Sequence, residues 1–268
     1  MAKYKAMKAW ALWLAVNVTI SLVGAFIFRE KRHNLKRHDL PYFIIFMLIF
    51  FAVFMLHMAE IKIDPIISST LSFDFTKKVY DLEGGVVALF QSIHNPILDY
   101  YFVFVYMIGF PFLLYFTPTL YIISRDMDSL KLVVVAYALV ISISLPFLLF
   151  FPVHNAWWAS SNYAWYNGKT ISFRLEQIWP SGLPIFYKFT TLNNCFPSLH
   201  SALSAVMAYT AVIAKYKRYS YVAIVMAISI PIATMYLGIH WLTDVVGGEA
   251  IALLSVVMAL KITGLKWK

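Results

Sequence analysis

The 268-residue chain is too apolar for a soluble domain, because 61% of its residues are hydrophobic and only 13% are charged. Its net charge of +9 is not arranged as a basic stripe interleaved with exposed aromatic residues, which argues against nucleic-acid binding. Several nearly uncharged runs reach the ~20 residues that a helix needs to cross the hydrocarbon core of a bilayer. The composition therefore predicts an integral membrane protein.

The apolar runs predict an all-α fold, a polytopic transmembrane helical bundle of six to seven spans. The first run is interpreted as a retained span, because it is too long for the apolar part of a signal peptide and lacks a small-residue cleavage site. The predicted spans are 9–28, 41–58, 98–124, 131–153, 198–214, 219–239 and 242–262.

We expect a single membrane domain over 1–268 with three parts. Residues 1–58 hold the N-terminal spans, 59–97 form an outer interfacial segment, and 98–262 form the catalytic core.

The short connections carry most of the basic residues, and this pattern predicts the orientation of the chain. Basic residues cluster in 29–37 and 215–218 and follow the last span, and short basic connections tend to face the cytoplasm. The N-terminus is then outside and the C-terminus inside. The two long loops, 59–97 and 154–197, lie outside the cytoplasm.

The two outer loops differ in composition. The loop 59–97 mixes charged residues with an apolar patch at 86–93, which is typical of an amphipathic segment on the bilayer surface. The loop 154–197 is rich in Trp and Tyr, which prefer the headgroup zone. This second loop is either a cap over a site or an aromatic belt with no catalytic part.

A first candidate motif lies at 196–200, where Pro197 at an early helical position, followed by the polar Ser198, predicts the start of a hydrophobic helix. A helix start of this kind presents free N–H groups that attract an anion, and the Ser198 hydroxyl can donate to one. His200 lies in the first turn and adds a proton donor. The alternative is an ordinary capped helix with a histidine at the membrane interface.

A second motif pairs His240 with Asp244, four residues later. On a helix the two side chains share one face, and a carboxylate bound to one imidazole nitrogen leaves the other nitrogen free to attack. The spans that carry His200 and His240 connect through an inner loop, so both histidines lie on one side of the bilayer. Ionisable groups at this depth favour a functional site.

These motifs together resemble the type-2 phosphatidic acid phosphatase (PAP2) superfamily, most closely its inositol phosphorylceramide synthase-like branch. The resemblance covers roughly 98–262. It rests on Phe196-Pro197-Ser198-Leu199-His200-Ser201-Ala202 and on Thr234-Met235-Tyr236-Leu237 followed by His240-x-x-x-Asp244.

The resemblance implies a metal-free helical core with its site at the outer face. His240 would be the nucleophile, Asp244 its orienting partner and His200 the acid that protonates the leaving oxygen. Ser198 would hold phosphate oxygens. No cofactor is implied.

The chain departs from the superfamily pattern at two cationic positions. It contains no Arg-Pro pair, and Ala233 and Thr234 stand where the pattern has Ser-Arg. Phosphoryl transfer needs charge stabilisation, so another cation is expected. Arg174 and Lys188 in the second outer loop are the candidates for phosphate binding, although either could be an interfacial charge.

The motifs predict an enzyme that acts on a lipid phosphate in the bilayer. The favoured function is a membrane lipid phosphatase that works through a phosphohistidine. The alternative is a phosphotransferase that moves a phospho-headgroup such as phosphoinositol to an alcohol. A transporter or channel is a third hypothesis, but its polar groups would spread through the midplane. The lipid and the oligomeric state are left open.

The remaining histidines and the single cysteine receive structural interpretations. His57 and His94 are expected to cap helices at the interface, whereas His154 could line the site. Cys195 is the only cysteine, which excludes an intrachain disulfide and a multi-thiolate metal site and favours a small apolar packing role.

Overall fold

The computed structural model describes residues 2–30, 39–71 and 73–266. It is all-helical, with 78% helix and no strand in these ranges, which confirms the predicted fold class. Part of the predicted inner basic loop, residues 31–38, and the last two residues, 267–268, lie outside the described residues.

Thirteen α-helices follow one another along the described residues, with a π-helical turn at Val105–Gly109 and a 3-10 turn at Pro180–Gly182. The helices are α1 Ala2–Ile27, α2 Asp39–Leu71, α3 Thr76–Glu83, α4 Val86–Ser92, α5 Pro96–Phe104, α6 Phe110–Ser124, α7 Met127–Phe150, α8 Ala156–Asn162, α9 Arg174–Ile178, α10 Leu183–Phe186, α11 Leu199–Ile213, α12 Lys217–Tyr236 and α13 Leu242–Thr263.

Five segments are long and apolar enough to cross a bilayer, which supports an integral membrane protein. They are Pro41–Leu71, Pro96–Ser124, Met127–Phe150, Lys217–Tyr236 and Leu242–Thr263. The other two predicted spans overlap shorter apolar helical stretches, Ala11–Ile27 and Leu199–Ile213. The count of six to seven spans therefore stays a prediction.

Local capping signals explain several helix starts. Asn95 accepts a hydrogen bond from the N–H of Leu98 at 3.0 Å, and Pro96 follows as the first helical residue of α5. Asp126 does the same for α7 through the N–H of Ser129 at 3.1 Å. These caps satisfy N–H groups that a helix end otherwise leaves without partners.

Helix α11 lies at the centre of the bundle and packs against α6, α7, α12 and α13. The N-terminal helices add to this group from outside, α1 against α6 and α2 against α7. Helices α1 and α2 expose many large apolar side chains, as is typical of a surface that faces lipid. In this arrangement the first turn of α11 is surrounded by other helices.

Helix α2 is longer than the predicted span 41–58 and continues to Leu71. The sequence pattern ends at 58 because the hydropathy falls at Glu60 and Asp64. Both carboxylates are buried on the inner face of the helix. Asp64 accepts hydrogen bonds from Ser68 at 2.9 Å and from Thr191 at 2.7 Å, so its charge is satisfied inside the protein.

Asp64 therefore connects α2 to the loop that leads into α11. Replacement of Asp64 tests how much these hydrogen bonds stabilise the protein. We expect Asp64→Ala to lower the free energy of unfolding by about 1–3 kcal/mol, because it leaves buried donors without an acceptor. Thermal unfolding in detergent measures the loss. Asp81→Ala is the control, because Asp81 is exposed and pairs with Lys77 on the surface. Equal stability of the two variants would contradict a stabilising role of the Asp64 hydrogen bonds.

Candidate active site

The first motif forms the start of α11. Ser198 is the N-cap residue: its hydroxyl oxygen accepts hydrogen bonds from the N–H of Ser201 at 3.3 Å and from the Ser201 hydroxyl at 3.1 Å. Pro197 precedes the cap instead of opening the helix, and the Phe196–Pro197 peptide is cis. His200 follows as the second helical residue. Ser198 is fully buried, and its hydroxyl serves the helix start.

The second motif lies in the turn between α12 and α13. Gly238 adopts a φ of 80°, which favours glycine, and the N–H groups of Ile239 and His240 both donate to the carbonyl of Thr234. Helix α13 begins only at Leu242, so His240 precedes it. The predicted shared helix face is therefore replaced by a capping contact.

Asp244 makes this capping contact from the first turn of α13. Its Oδ2 accepts a hydrogen bond from the N–H of Trp241 at 2.9 Å and lies 3.3 Å from His240 Nδ1. Asp244 is fully buried and His240 is 5% exposed. A buried carboxylate in this position favours the tautomer with a proton on Nδ1, which leaves a lone pair on Nε2.

The two motifs meet through the backbone and through their histidines. The N–H of Ser198 donates to the carbonyl of Asp244 at 2.9 Å. His240 Nε2 lies 3.3 Å from His200 Nδ1. With the proton of His240 on Nδ1, His200 is the donor in this pair. The site thus holds an imidazole nitrogen with a free lone pair beside the N–H of a second imidazole.

A cavity of about 140 Å³ opens next to the two histidines. Its walls are mostly apolar and aromatic, and the rings of Tyr106 and Phe110 flank His200 at centroid distances of 4.8 and 4.6 Å. The lining extends to α1, α2 and α7 through Trp13, His57 and Tyr137. An apolar cavity that ends at two histidines fits a substrate with an apolar body and a reactive polar end.

The segment 73–97 holds the start of α13 in place, a role that the sequence did not reveal. The Glu83 carboxylate accepts hydrogen bonds from the N–H groups of Leu242 and Thr243 at 3.0 and 2.7 Å. Burial raises the pKa of Glu83, against these two hydrogen bonds, which lower it. A carboxylate at this helix start is stabilised by the helix dipole.

Aromatic side chains of the loop 154–197 pack over this region. Trp157 stacks on Phe173 at a centroid distance of 4.7 Å, and His154 stacks on Trp158 at 4.3 Å. The indole of Trp241 donates to the carbonyl of His154 at 2.8 Å. His154 is therefore part of the covering layer, and it is not one of the described residues that line the cavity.

Asp74 anchors this covering layer to the segment 73–97. It accepts hydrogen bonds from Thr76 and Tyr163, and its carboxylate lies 3.8 Å from the Nδ1 of His154. Burial alone would raise the pKa of Asp74, but the hydrogen bonds from its neighbours outweigh burial and lower it. The carboxylate thus stays ionised and keeps the segment 73–97 and the loop 154–197 together.

The two cations predicted to bind phosphate lie apart from the contacts of the histidine pair. The Arg174 guanidinium is 3.6 Å from the Asp99 carboxylate, donates to the Gln91 carbonyl at 3.4 Å and lies over the ring of Tyr236. Lys188 is exposed at the end of α10. Among the described residues that line the cavity there is no Lys or Arg, and Ser198 is not among them either.

Three possible metal-binding groups lie close together at the histidine site. The donor atoms of Cys195, His240 and Asp244 are all within 4.8 Å of one another. However, Cys195 Sγ accepts from the amide of Asn155 at 2.9 Å and donates to the Ile239 carbonyl at 3.6 Å. Burial raises the pKa of the Cys195 thiol, which disfavours the thiolate that binds metal. These contacts fit a structural, hydrogen-bonded thiol at Cys195 better than a metal ligand.

Residues 150–268 match the family model described as the PAP2 superfamily. This segment contains Ser198, His200, His240 and Asp244. No match was found among curated proteins or among solved structures. The match supports the resemblance at the level of the superfamily, whereas the inositol phosphorylceramide synthase-like branch stays a prediction.

The close approach of α13 to the start of α11 yields a first prediction for the site. A Cβ added to Gly248 would lie 2.3 Å from the Ser198 carbonyl oxygen, which is backbone and cannot swing away. We expect Gly248→Ala to push the helices apart, with a cost of about 1–3 kcal/mol in stability and a loss of activity. Gly85→Ala is the control, because a Cβ there meets nothing within 4 Å. A fully active, equally stable Gly248→Ala protein would contradict the geometry.

The cap on α13 yields a second prediction. Glu83→Gln retains the shape of the side chain but removes the charge and one acceptor oxygen. We expect a loss of about 1–2 kcal/mol in stability, with reduced turnover because His240 and Asp244 shift. Thermal unfolding and turnover are compared with those of Glu176→Gln, an exposed glutamate in α9. The cap has no role in positioning the site if turnover is equal in both variants.

Proposed function

We propose that this protein is a membrane lipid phosphatase that hydrolyses a lipid phosphate or diphosphate through a phosphohistidine, without a metal. The observation that carries the proposal is the chain of contacts from Asp244 to His240 to His200, with 3.3 Å at each step, at the end of an apolar cavity. The match of residues 150–268 to the PAP2 superfamily supports a phosphatase-like reaction on a lipid phosphate.

The first step of the proposed reaction transfers the phosphoryl group to His240. The Nε2 lone pair attacks phosphorus and forms an N–P bond, while the bond from phosphorus to the leaving oxygen breaks. His200 enters this step as the imidazolium, donates one proton to that oxygen and is left neutral. Asp244 accepts a hydrogen bond from Nδ1 and stabilises the positive charge that develops on the His240 ring.

The second step releases the phosphate. A water molecule attacks the phosphorus and gives its proton to His200, which is now neutral, and the N–P electron pair returns to His240. The histidines are 3.3 Å apart before substrate binds, so the phosphoryl group has to enter between Nε2 and the His200 ring. A rotation of the His200 side chain would provide this space.

We propose that the site faces outside the cytoplasm. Glu30, which follows α1, accepts hydrogen bonds from the N–H groups of Lys217 and Arg218 at 3.0 and 2.6 Å. The connections after α1 and after α11 therefore share one end of the bundle. Both are basic, which is typical of the cytoplasmic side. His200 and His240 belong to the opposite ends of α11 and α12.

The test is an assay of the full-length protein in detergent, with a chelator present. The substrates are phosphatidate and a polyprenyl diphosphate, each with and without myo-inositol. We expect release of free phosphate, and a loss of roughly 10³-fold or more in His240→Ala, because the nucleophile is removed. His94→Ala is the control, since His94 is exposed between α4 and α5.

Each result of this assay has a distinct meaning. Transfer of the substrate's phosphate group to inositol, instead of its release as free phosphate, would identify a phosphotransferase with the same nucleophile. Activity that survives the loss of His240 would contradict the mechanism. Trapping of acid-labile phosphate on the wild-type protein, but not on His240→Ala, would support the phosphohistidine directly.

A further inference from the structure

Phosphoryl transfer needs positive charge near the phosphate, and the cavity contains few sources of it. The described residues of the cavity wall include no Lys or Arg. The nucleophile has to be neutral to attack, and His200 gives up its proton in the first step. The one other imidazole among the described residues of the wall is that of His57 on α2.

The sequence predicts that His57 caps the end of a helix, but the structure places it elsewhere. Helix α2 runs from Asp39 to Leu71, so His57 lies in its interior and cannot cap it. Its side chain is only 17% exposed and lines the same cavity as His200 and His240.

Glu60, one turn further along α2, forms an ion pair with His57. Its side chain is fully buried, and its Oε2 lies 3.1 Å from the Nδ1 of His57. Within the described residues neither oxygen of Glu60 nor the Nδ1 of His57 has a partner in hydrogen-bond geometry, and this contact is the only ion pair of Glu60. A carboxylate buried in a membrane helix is costly unless a countercharge pairs with it.

The neighbouring carboxylate, Asp64, does not compete with Glu60 for His57. Asp64 lies one turn beyond Glu60 and already accepts hydrogen bonds from Thr191 and Ser68. These contacts hold α2 against the loop that precedes α11, and Thr190 and Asn194 of the same loop line the cavity. The His57–Glu60 pair is therefore held in a fixed place on the cavity wall.

We infer that His57, ion-paired with Glu60, is a phosphate-binding residue of this site and replaces the cationic groups that the superfamily pattern has elsewhere. Because Nδ1 is the ring nitrogen that lies 3.1 Å from Glu60, the Nε2–H of His57 is the donor left for a ligand. It would bind an oxygen of the substrate phosphate. The inference rests on the proposed function, and it assigns this binding role to His57 instead of Arg174 and Lys188.

The test compares His57→Gln, His57→Lys and Glu60→Gln in the full-length protein, with His94→Gln as the control. Measurements are KM and kcat for whichever of phosphatidate and polyprenyl diphosphate is hydrolysed, and inhibition by orthovanadate, a phosphate mimic. We expect His57→Gln to raise KM and weaken orthovanadate inhibition by about tenfold or more, since a hydrogen bond to a charged group is lost. His57→Lys retains a cation and should restore both values to within about threefold of wild type.

Glu60→Gln tests the charge without altering the cavity wall. Because it removes the countercharge, we expect it to raise KM in the same direction as His57→Gln. An unchanged KM and unchanged orthovanadate inhibition in Glu60→Gln would overturn the inference, even if His57→Gln fails to fold. Equal impairment of folded His57→Gln and His57→Lys would also overturn it, because the loss would then not depend on charge.

The outcome can be separated from that of the proposed function. Activity that disappears in His240→Ala but has the same KM in His57→Gln would leave the phosphatase proposal intact and reject the role of His57. Activity that survives in His240→Ala would reject the phosphatase mechanism itself. In that case orthovanadate binding, measured by calorimetry on wild type and His57→Gln, still decides whether His57 binds a phosphate-like anion.

Discussion

The geometry of the site depends on the close contact between the starts of α11 and α13. The N–H of Ser198 donates to the carbonyl of Asp244, and Gly248 lies so near the Ser198 carbonyl that a methyl group would not fit. Backbone groups fix this approach, so the Cα positions of His200 and His240 are held near each other, and only the rotation of their side chains changes the distance between the rings. Glu83 adds a cap from outside the bundle and keeps α13 from shifting along its axis.

The N-terminal helices contribute to the site although they precede the segment that matches the PAP2 superfamily. The cavity wall includes Trp13 of α1 and His57 of α2, and α2 is held by Asp64 against the loop that leads to the first motif. Buried carboxylates in an apolar helix are expensive, and Glu60 and Asp64 each have a partner, His57 on the cavity wall and Thr191 in the loop before α11. The polar face of α2 thus ties this helix to the cavity wall and to the loop before α11.

Much of the fold could be predicted because hydropathy is a property of each segment by itself. Each predicted span overlaps a helix of the structure. The end of the second span was placed at 58, too early, because Glu60 and Asp64 resemble loop residues when their partners are unknown. His57 was interpreted as a helix cap for the same reason. The partners of these residues, Thr191 for Asp64 and Glu60 for His57, could be identified only from the contacts in the folded structure.

The sequence by itself determined the membrane environment, the two motifs and the pairing of His240 with Asp244, since residues four apart meet through local backbone geometry. Only the tertiary structure decided that His200 Nδ1 lies 3.3 Å from His240 Nε2, because these residues are separated by two helices. It also decided which basic side chains line the cavity. Arg174 and Lys188 have suitable charge in the sequence, but the packing of α9 and α10 turns Arg174 toward Asp99, whereas α2 brings His57 to the cavity wall. Contacts of this kind depend on how helices pack, which composition and spacing do not encode locally.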